Sequence, residues 1–124
     1  MRVLITGAQG QLGHELMRLA PQGFDTVGMG SADLDISDAE RVAVLVAELQ
    51  PDLIINAAAY TAVDKAESEM ERAWAVNRDG VAHLAVAAER LNIPLLHVST
   101  DYVFAGDARE PYRECDPTVP TGVY

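Results

Sequence analysis

Arg2-Val3-Leu4-Ile5-Thr6-Gly7-Ala8-Gln9-Gly10-Gln11-Leu12-Gly13-His14-Glu15-Leu16-Met17-Arg18-Leu19 is the stretch whose reading decides the fold. Arg2 to Thr6 is a short apolar, β-branched run, the pattern of a strand buried on both faces in a parallel sheet. Three glycines follow at three-residue spacing, and then Leu12, Leu16 and Leu19 recur at helical intervals until Pro21 and Gly23. A strand, a glycine turn and a helix in this order form a cradle for a pyrophosphate. Gly7 permits the tight exit from the strand, Gly10 lets the backbone approach the phosphates, and Gly13 lets the helix pack closely on the sheet. The phosphates would lie at the positive end of the helix, against Gln11 and Leu12.

The alternation continues outward from this turn. Phe24 to Met29 is a second strand, closed by Gly28 and Gly30. Ser37-Asp38-Ala39-Glu40 has capping-box spacing, so Ser37 is the expected cap of a helix carrying Val42, Leu45, Val46 and Leu49 on one face and ending at Pro51. Leu53-Ile54-Ile55 is a third strand. A long helix is predicted over 68–91, with Met70, Trp74, Val81, Leu84 and Ala88 inward, and Asn92-Ile93-Pro94 breaks it. Leu95 to Val98 is a fourth strand, and 106–120 reads as irregular loop. The β-α-β-α-β-α-β order predicts an α/β, Rossmann-like, doubly wound parallel sheet with helices on both faces. The small-residue loops all fall at the carboxyl ends of strands, where such sheets bind ligands. With no helix after the fourth strand, 1–124 is expected to be the N-terminal part of an NAD(P)-binding domain, with a substrate domain beyond residue 124.

Composition narrows the class. The net charge of −10 argues against nonspecific nucleic-acid binding, since phosphate polyanions are repelled overall. No apolar run reaches the roughly 18 residues of a membrane span, and Met1 leads directly into the first strand without a signal-peptide pattern. The lone Cys115 has no partner for an internal disulfide and reads as an incidental thiol. These features lead to the expectation of a reducing, cytoplasmic setting. His14, His83 and His97 are too scattered for a metal site, and His97, inside a strand, is expected in the core. Tyr102 and Phe104 suit either a pocket wall or packing.

The end of the second strand bears on the cofactor. Gly28-Met29-Gly30-Ser31 offers no carboxylate to a ribose until Asp33, and no arginine to a 2′-phosphate, so NADPH and NADH both remain open. Asp35 and Ile36 are candidates to flank the adenine, with Asp35 accepting from its amino group; the alternative is a surface aspartate before a helix.

The T-G-x-x-G-x-x-G spacing resembles the extended short-chain dehydrogenase/reductase superfamily. NAAAYTAVDKAE (Asn56 to Glu67), Val76-Asn77, HVSTDYVFAG (His97 to Gly106) and PTVPTGVY (Pro117 to Tyr124) are similar to dTDP-4-dehydrorhamnose reductases along the whole 124 residues. That resemblance implies NAD(P)H-dependent reduction of a 4-keto sugar nucleotide, dTDP-4-dehydrorhamnose to dTDP-L-rhamnose. It implies Tyr124 as proton donor, at the nicotinamide as well, and Thr100 as the hydroxyl that polarises the keto oxygen. A tyrosine hydroxyl serves as acid when its pKa is drawn down from about 10 by a cation, in the family a lysine four residues on, which lies outside these 124 residues. The small-molecule partner is the nucleotide sugar, with a homodimer of the full-length protein as candidate assembly.

Ala59, Tyr60 and Thr61 are implied to run along the cofactor, and Asp101 to touch the sugar nucleotide. Asn77 sits mid-helix against its propensity, which favours a functional use of its amide, while Lys65 and Glu67 read as exposed charges. An epimerase or dehydratase of nucleotide sugars shares these features, with Asp101 as an acid–base group. A non-catalytic NADP-binding regulatory subunit, of the methionine adenosyltransferase type, is the alternative from another class. A fragment ending at Tyr124 is expected to be poorly active.

Overall fold

A computed structural model describes residues 1–124. Strands β1 (Arg2–Thr6), β2 (Asp25–Met29), β3 (Leu53–Asn56) and β4 (Leu95–His97) form one parallel sheet in the order β2-β1-β3-β4. The connections are α1 (Gln11–Arg18), α2 (Ala39–Leu49), a one-turn α3 (Val63–Ala66), α4 (Met70–Trp74) and α5 (Val81–Leu91). Strand order reverses at β1, so the crevice beyond the carboxyl ends of β1 and β3 is the topological switch point. This is the expected α/β doubly wound arrangement.

Side chains alternate across the pleat, and the register aligns Leu4 with Ile54 and Ile54 with Leu95. Leu4, Ile54, Val42, Leu45, Val46, Leu84, Ala87 and Ala88 make one buried core between the sheet and the α2–α5 pair. Each fully buried Leu, Ile or Val there stabilises the fold by about 1.5–3 kcal/mol. Val3 and Ile5 point to the opposite face and are also buried. On that face α1 packs on β1 and β2, while the larger core cluster lies on the other.

This asymmetry corrects three expectations. Leu12 and Leu19 on α1 are exposed, and the helix buries Gly13 instead. His97 is exposed, because β4 is an edge strand. Leu96 and Val98 beside it are also exposed, at 53% and 44%.

The long helix runs from Met70 to Leu91, but its middle turn, Ala75–Gly80, is a π-helical turn. Leu84 and Ala88 are buried as expected. Met70 and Trp74 are exposed, because Ala73 takes the inward position on α4 and Trp74 instead lies under the Arg78 guanidinium, 5.2 Å from its ring centre. The cap of α2 also differs. Asp38, not Ser37, accepts from the Arg41 N–H, at 2.9 Å. The Ser37 N–H and hydroxyl both donate back to Asp35 (3.0 and 2.7 Å), so Ser37 belongs to the turn before the helix and the cap falls one residue later. α2 and α5 end with Gln50 and Asn92 in the left-handed region, φ 48° and 54°.

Candidate functional site

Beyond β1 the chain turns at Gly7, whose φ of +70° favours glycine. A Cβ there would lie 2.5 Å from the Ala58 backbone nitrogen, so the turn and the loop after β3 press together as only glycine allows. No side chain caps α1 at Gly10, so the first-turn N–H groups of Gln11 and Leu12, both exposed residues, have no side-chain acceptor. Gly13 itself is buried behind the turn, against the Gly7 carbonyl. A bare helix N-terminus behind a glycine turn fits a pyrophosphate in charge and in space.

The turn forms one wall of an open crevice of about 750 Å³. Gly7, Gly10, Gln11 and Leu12 line it on one side, Asp35 and Ile36 at one end, and Ala59, Tyr60 and Thr61 along the β3 loop. A second hollow of about 320 Å³ shares Leu12, Ala57, Ala59 and Thr61 with it, and is lined further on by Asn77, His97, Thr100 and Tyr124. The two hollows adjoin along the four shared residues, and the trough they make brings together the glycine turn, Asp35, Thr100 and Tyr124, residues more than a hundred positions apart in the chain.

The floor at the switch point is a polar network that the sequence reading passed over. Thr6 and Asn56 are buried at the ends of β1 and β3. Asn56 Oδ1 accepts from the Thr6 hydroxyl at 2.5 Å and from the Ala58 N–H at 3.1 Å, which fixes the amide. Its Nδ2 then donates to His97 Nδ1 at 3.0 Å. Asn56 thereby ties the ends of three strands together. The only signal in the sequence was an asparagine closing an otherwise apolar strand.

His97 must accept at Nδ1 in this network, so its imidazole is neutral with the proton on Nε2. The ring is exposed on its outer side but loses water where Nδ1 packs on Asn56, and this desolvation holds its pKa below the ordinary imidazole value, in the same direction. The unfolded chain takes up a proton through about pH 6.5 that folded His97 binds only at lower pH, so stability falls as pH drops through that window. Denaturant melts at about pH 7.5 and 5.5 should show wild type losing more stability than His97→Gln across that interval. Equal losses in the two proteins would show that His97 is not held neutral.

Asn77 earns its unfavourable place within the π turn. It accepts from the Tyr60 N–H at 2.8 Å and donates to the Tyr60 carbonyl at 3.0 Å, a two-point clamp on the loop that walls the trough. Such turns gather at functional sites because they re-aim one side chain. Tyr60 donates its hydroxyl to Glu69 at 2.9 Å. Burial and that carboxylate push the Tyr60 hydroxyl up, so it stays protonated.

At the other end, Asp35 Oδ1 is engaged by Ser37, and Oδ2 has no protein donor. The Ser37 hydroxyl, then its N–H, hold the Asp35 carboxyl below the usual range, with a smaller contribution from the Arg72 charge. An ionised acceptor aimed by Ser37 is what an adenine amino group would require. Ile36 is buried and packs on Gly80, while still lining the crevice. Asp33 serves the turn, accepting from the Gly30 N–H at 3.0 Å.

Thr100 accepts from the Tyr102 N–H at 3.2 Å and donates to Asp101 at 3.3 Å. Asp101 is exposed and outside the lining of the trough. Tyr124 lies edge-on to Tyr102, with ring centres 5.5 Å apart. Glu67, though exposed, accepts from the Val123 N–H at 2.9 Å and so anchors the segment carrying Tyr124. Arg72 and Leu34 are lining residues that nothing in the sequence singled out.

Comparison with known proteins agrees with this geometry. The RmlD substrate binding domain model matches residues 1–124. The dTDP-4-dehydrorhamnose reductase of Sinorhizobium fredii is 46% identical over 124 residues, covering 100% of this chain and 42% of that protein. The crystal structure of a dTDP-4-dehydrorhamnose reductase from Clostridium acetobutylicum superposes with a TM-score of 0.97 at 40% identity, over 100% of this chain and 45% of that one. The Bacillus anthracis reductase in complex with NADP gives a TM-score of 0.94 at 42% identity, over 99% and 45%. The chain thus spans less than half the length of the relatives it matches. No helix is long and apolar enough to cross a membrane. With the match running through every residue of the trough, the chain belongs to the RmlD substrate binding domain family.

Proposed function

We propose that residues 1–124 are the N-terminal part of the dinucleotide-binding unit of an NAD(P)H-dependent reductase acting on the 4-keto group of dTDP-4-dehydrorhamnose. The observation that carries this reading is the pair of adjoining hollows, one lined by Asp35 and the uncapped end of α1, the other by Thr100 and Tyr124, with Leu12, Ala57, Ala59 and Thr61 common to both. Gly7, Gly10 and the first-turn N–H groups of α1 hold the pyrophosphate, Asp35 and Ile36 the adenine, and Ala59 to Thr61 the remaining length. The bound cofactor supplies a hydride.

The protein's own part is acid catalysis and orientation. Thr100 turns its hydroxyl from Asp101 to the substrate's keto oxygen, and Tyr124 gives that oxygen its proton. Asn77 holds the Tyr60 loop so that the trough keeps its shape. The remaining length of such proteins holds the rest of the sugar-nucleotide site, and a cytoplasmic homodimer is part of this reading.

The test is NADPH and NADH titration of the full chain, with reduction of dTDP-4-dehydrorhamnose followed by NADPH absorbance. Binding with turnover supports the proposal. Tight binding without turnover would favour the regulatory-subunit class, and absence of dinucleotide binding would refute the reading. Thr100→Val should leave binding unchanged and slow turnover by roughly 10- to 100-fold, as loss of one donor to a developing oxyanion does. Unchanged turnover would remove Thr100 from the mechanism.

A further inference from the structure

We propose that Arg72 is a phosphate ligand for the dinucleotide, released from Glu69 when the cofactor enters the crevice. The inference rests on the dinucleotide reading above and adds a residue to it. Arg72 is the one cation lining the crevice, in a chain of net charge −10. It stands on α4 one turn before Val76, which lines the same wall, while Ala73 between them is buried. Its side chain is therefore held along the crevice by the helix.

The guanidinium is weakly committed. Nη1 lies 3.5 Å from Glu69 Oε2, an oxygen that already accepts from the Tyr60 hydroxyl at 2.9 Å. It sits 5.7 Å from the centre of the Tyr60 ring, and its side chain is 73% exposed. An exposed pair with this spacing holds loosely, so little is lost when the side chain moves. The gain is larger, because a guanidinium fork matches phosphate oxygens and their charge offsets the acidity of the protein. The end of β2, the usual source of a cation for a 2′-phosphate, is Gly28-Met29-Gly30-Ser31 and offers none. Two phosphates could be the partner: the 2′-phosphomonoester of NADP, or the pyrophosphate common to both cofactors.

The experiment compares Kd for NADPH and NADH by calorimetry, at low and high salt, for wild type, Arg72→Gln and Arg72→Lys in the full chain. Thermal melts check that the variants are folded. Arg72→Gln should weaken NADPH binding by about fivefold or more and flatten its salt dependence, with Arg72→Lys between. Weakening of NADPH alone assigns the contact to the 2′-phosphate; equal weakening of both assigns it to the pyrophosphate. Unchanged Kd values in a wild type that binds would overturn the proposal, as would weakening with an unchanged salt slope, which signals stacking instead. A wild type that binds neither cofactor would overturn the dinucleotide reading itself.

Discussion

Tyr124→Phe in the full chain lowers turnover of the keto substrate by roughly 10²- to 10⁴-fold and leaves the NADPH Kd within about twofold, the signature of a lost general acid. The substitution removes one hydroxyl and keeps the ring, which lies edge-on to Tyr102. The anchor of this segment is the Val123 N–H on Glu67, a backbone contact that the substitution leaves in place. Position and packing are therefore retained while the proton is lost. If turnover survives, the proton comes from another group. If turnover falls only in proportion to a loss of NADPH binding and recovers at saturating NADPH, Tyr124 acts in holding the cofactor and the assignment of acid catalysis fails.

The parts of the fold that were legible in the sequence are those set by local chemistry. β1, the glycine turn and α1 follow one another within 17 residues (Arg2–Arg18), and each states its own requirement: burial, a positive φ, close packing. The switch point followed from the placement of small residues after each strand. The errors came where a distant neighbour decides. Ser37 has the spacing of a cap, yet it closes a turn on Asp35, and the helix begins one residue later with Asp38 as its cap.

His97 and Leu12 have core-like patterns, but both are exposed, Leu12 as part of the crevice lining, and helical or strand periodicity cannot say which positions are covered. Arg72 was invisible for a related reason. Its place in the crevice depends on how α4 is rotated by the buried Ala73 and by the π turn that follows. Asn77 was half legible. Its poor propensity marked it, but its partner is the Tyr60 backbone, 17 residues away.

The glycines of the turn separate binding from folding, and a pair of alanine substitutions measures the difference. Gly13→Ala should abolish measurable NADPH binding and lower stability by about 1–3 kcal/mol, the range for overpacking a tight site. Two effects compete. Alanine in place of glycine within a helix gains up to about 1 kcal/mol from propensity. Against that, the added Cβ would lie 2.1 Å from the Gly7 carbonyl oxygen and 2.7 Å from Ala8 Cα, both backbone atoms that no rotamer change can clear. The clash wins, and α1 has to move off the turn that it closes.

Gly10→Ala is the contrasting case. Its φ of −77° suits any residue, and the new Cβ would lie 3.3 Å from the Gly7 carbonyl oxygen, a tight contact that a shift of a few tenths of an ångström relieves, so the loss of stability should be well below that of Gly13→Ala. The methyl would instead compete for the space over the uncapped α1, where the phosphates approach. Denaturant melts beside NADPH titrations should therefore show Gly13→Ala failing in both and Gly10→Ala failing in binding alone. If Gly13→Ala keeps wild-type stability, α1 does not rest on the turn as described. If Gly10→Ala binds NADPH as wild type does, the phosphates lie elsewhere in the trough.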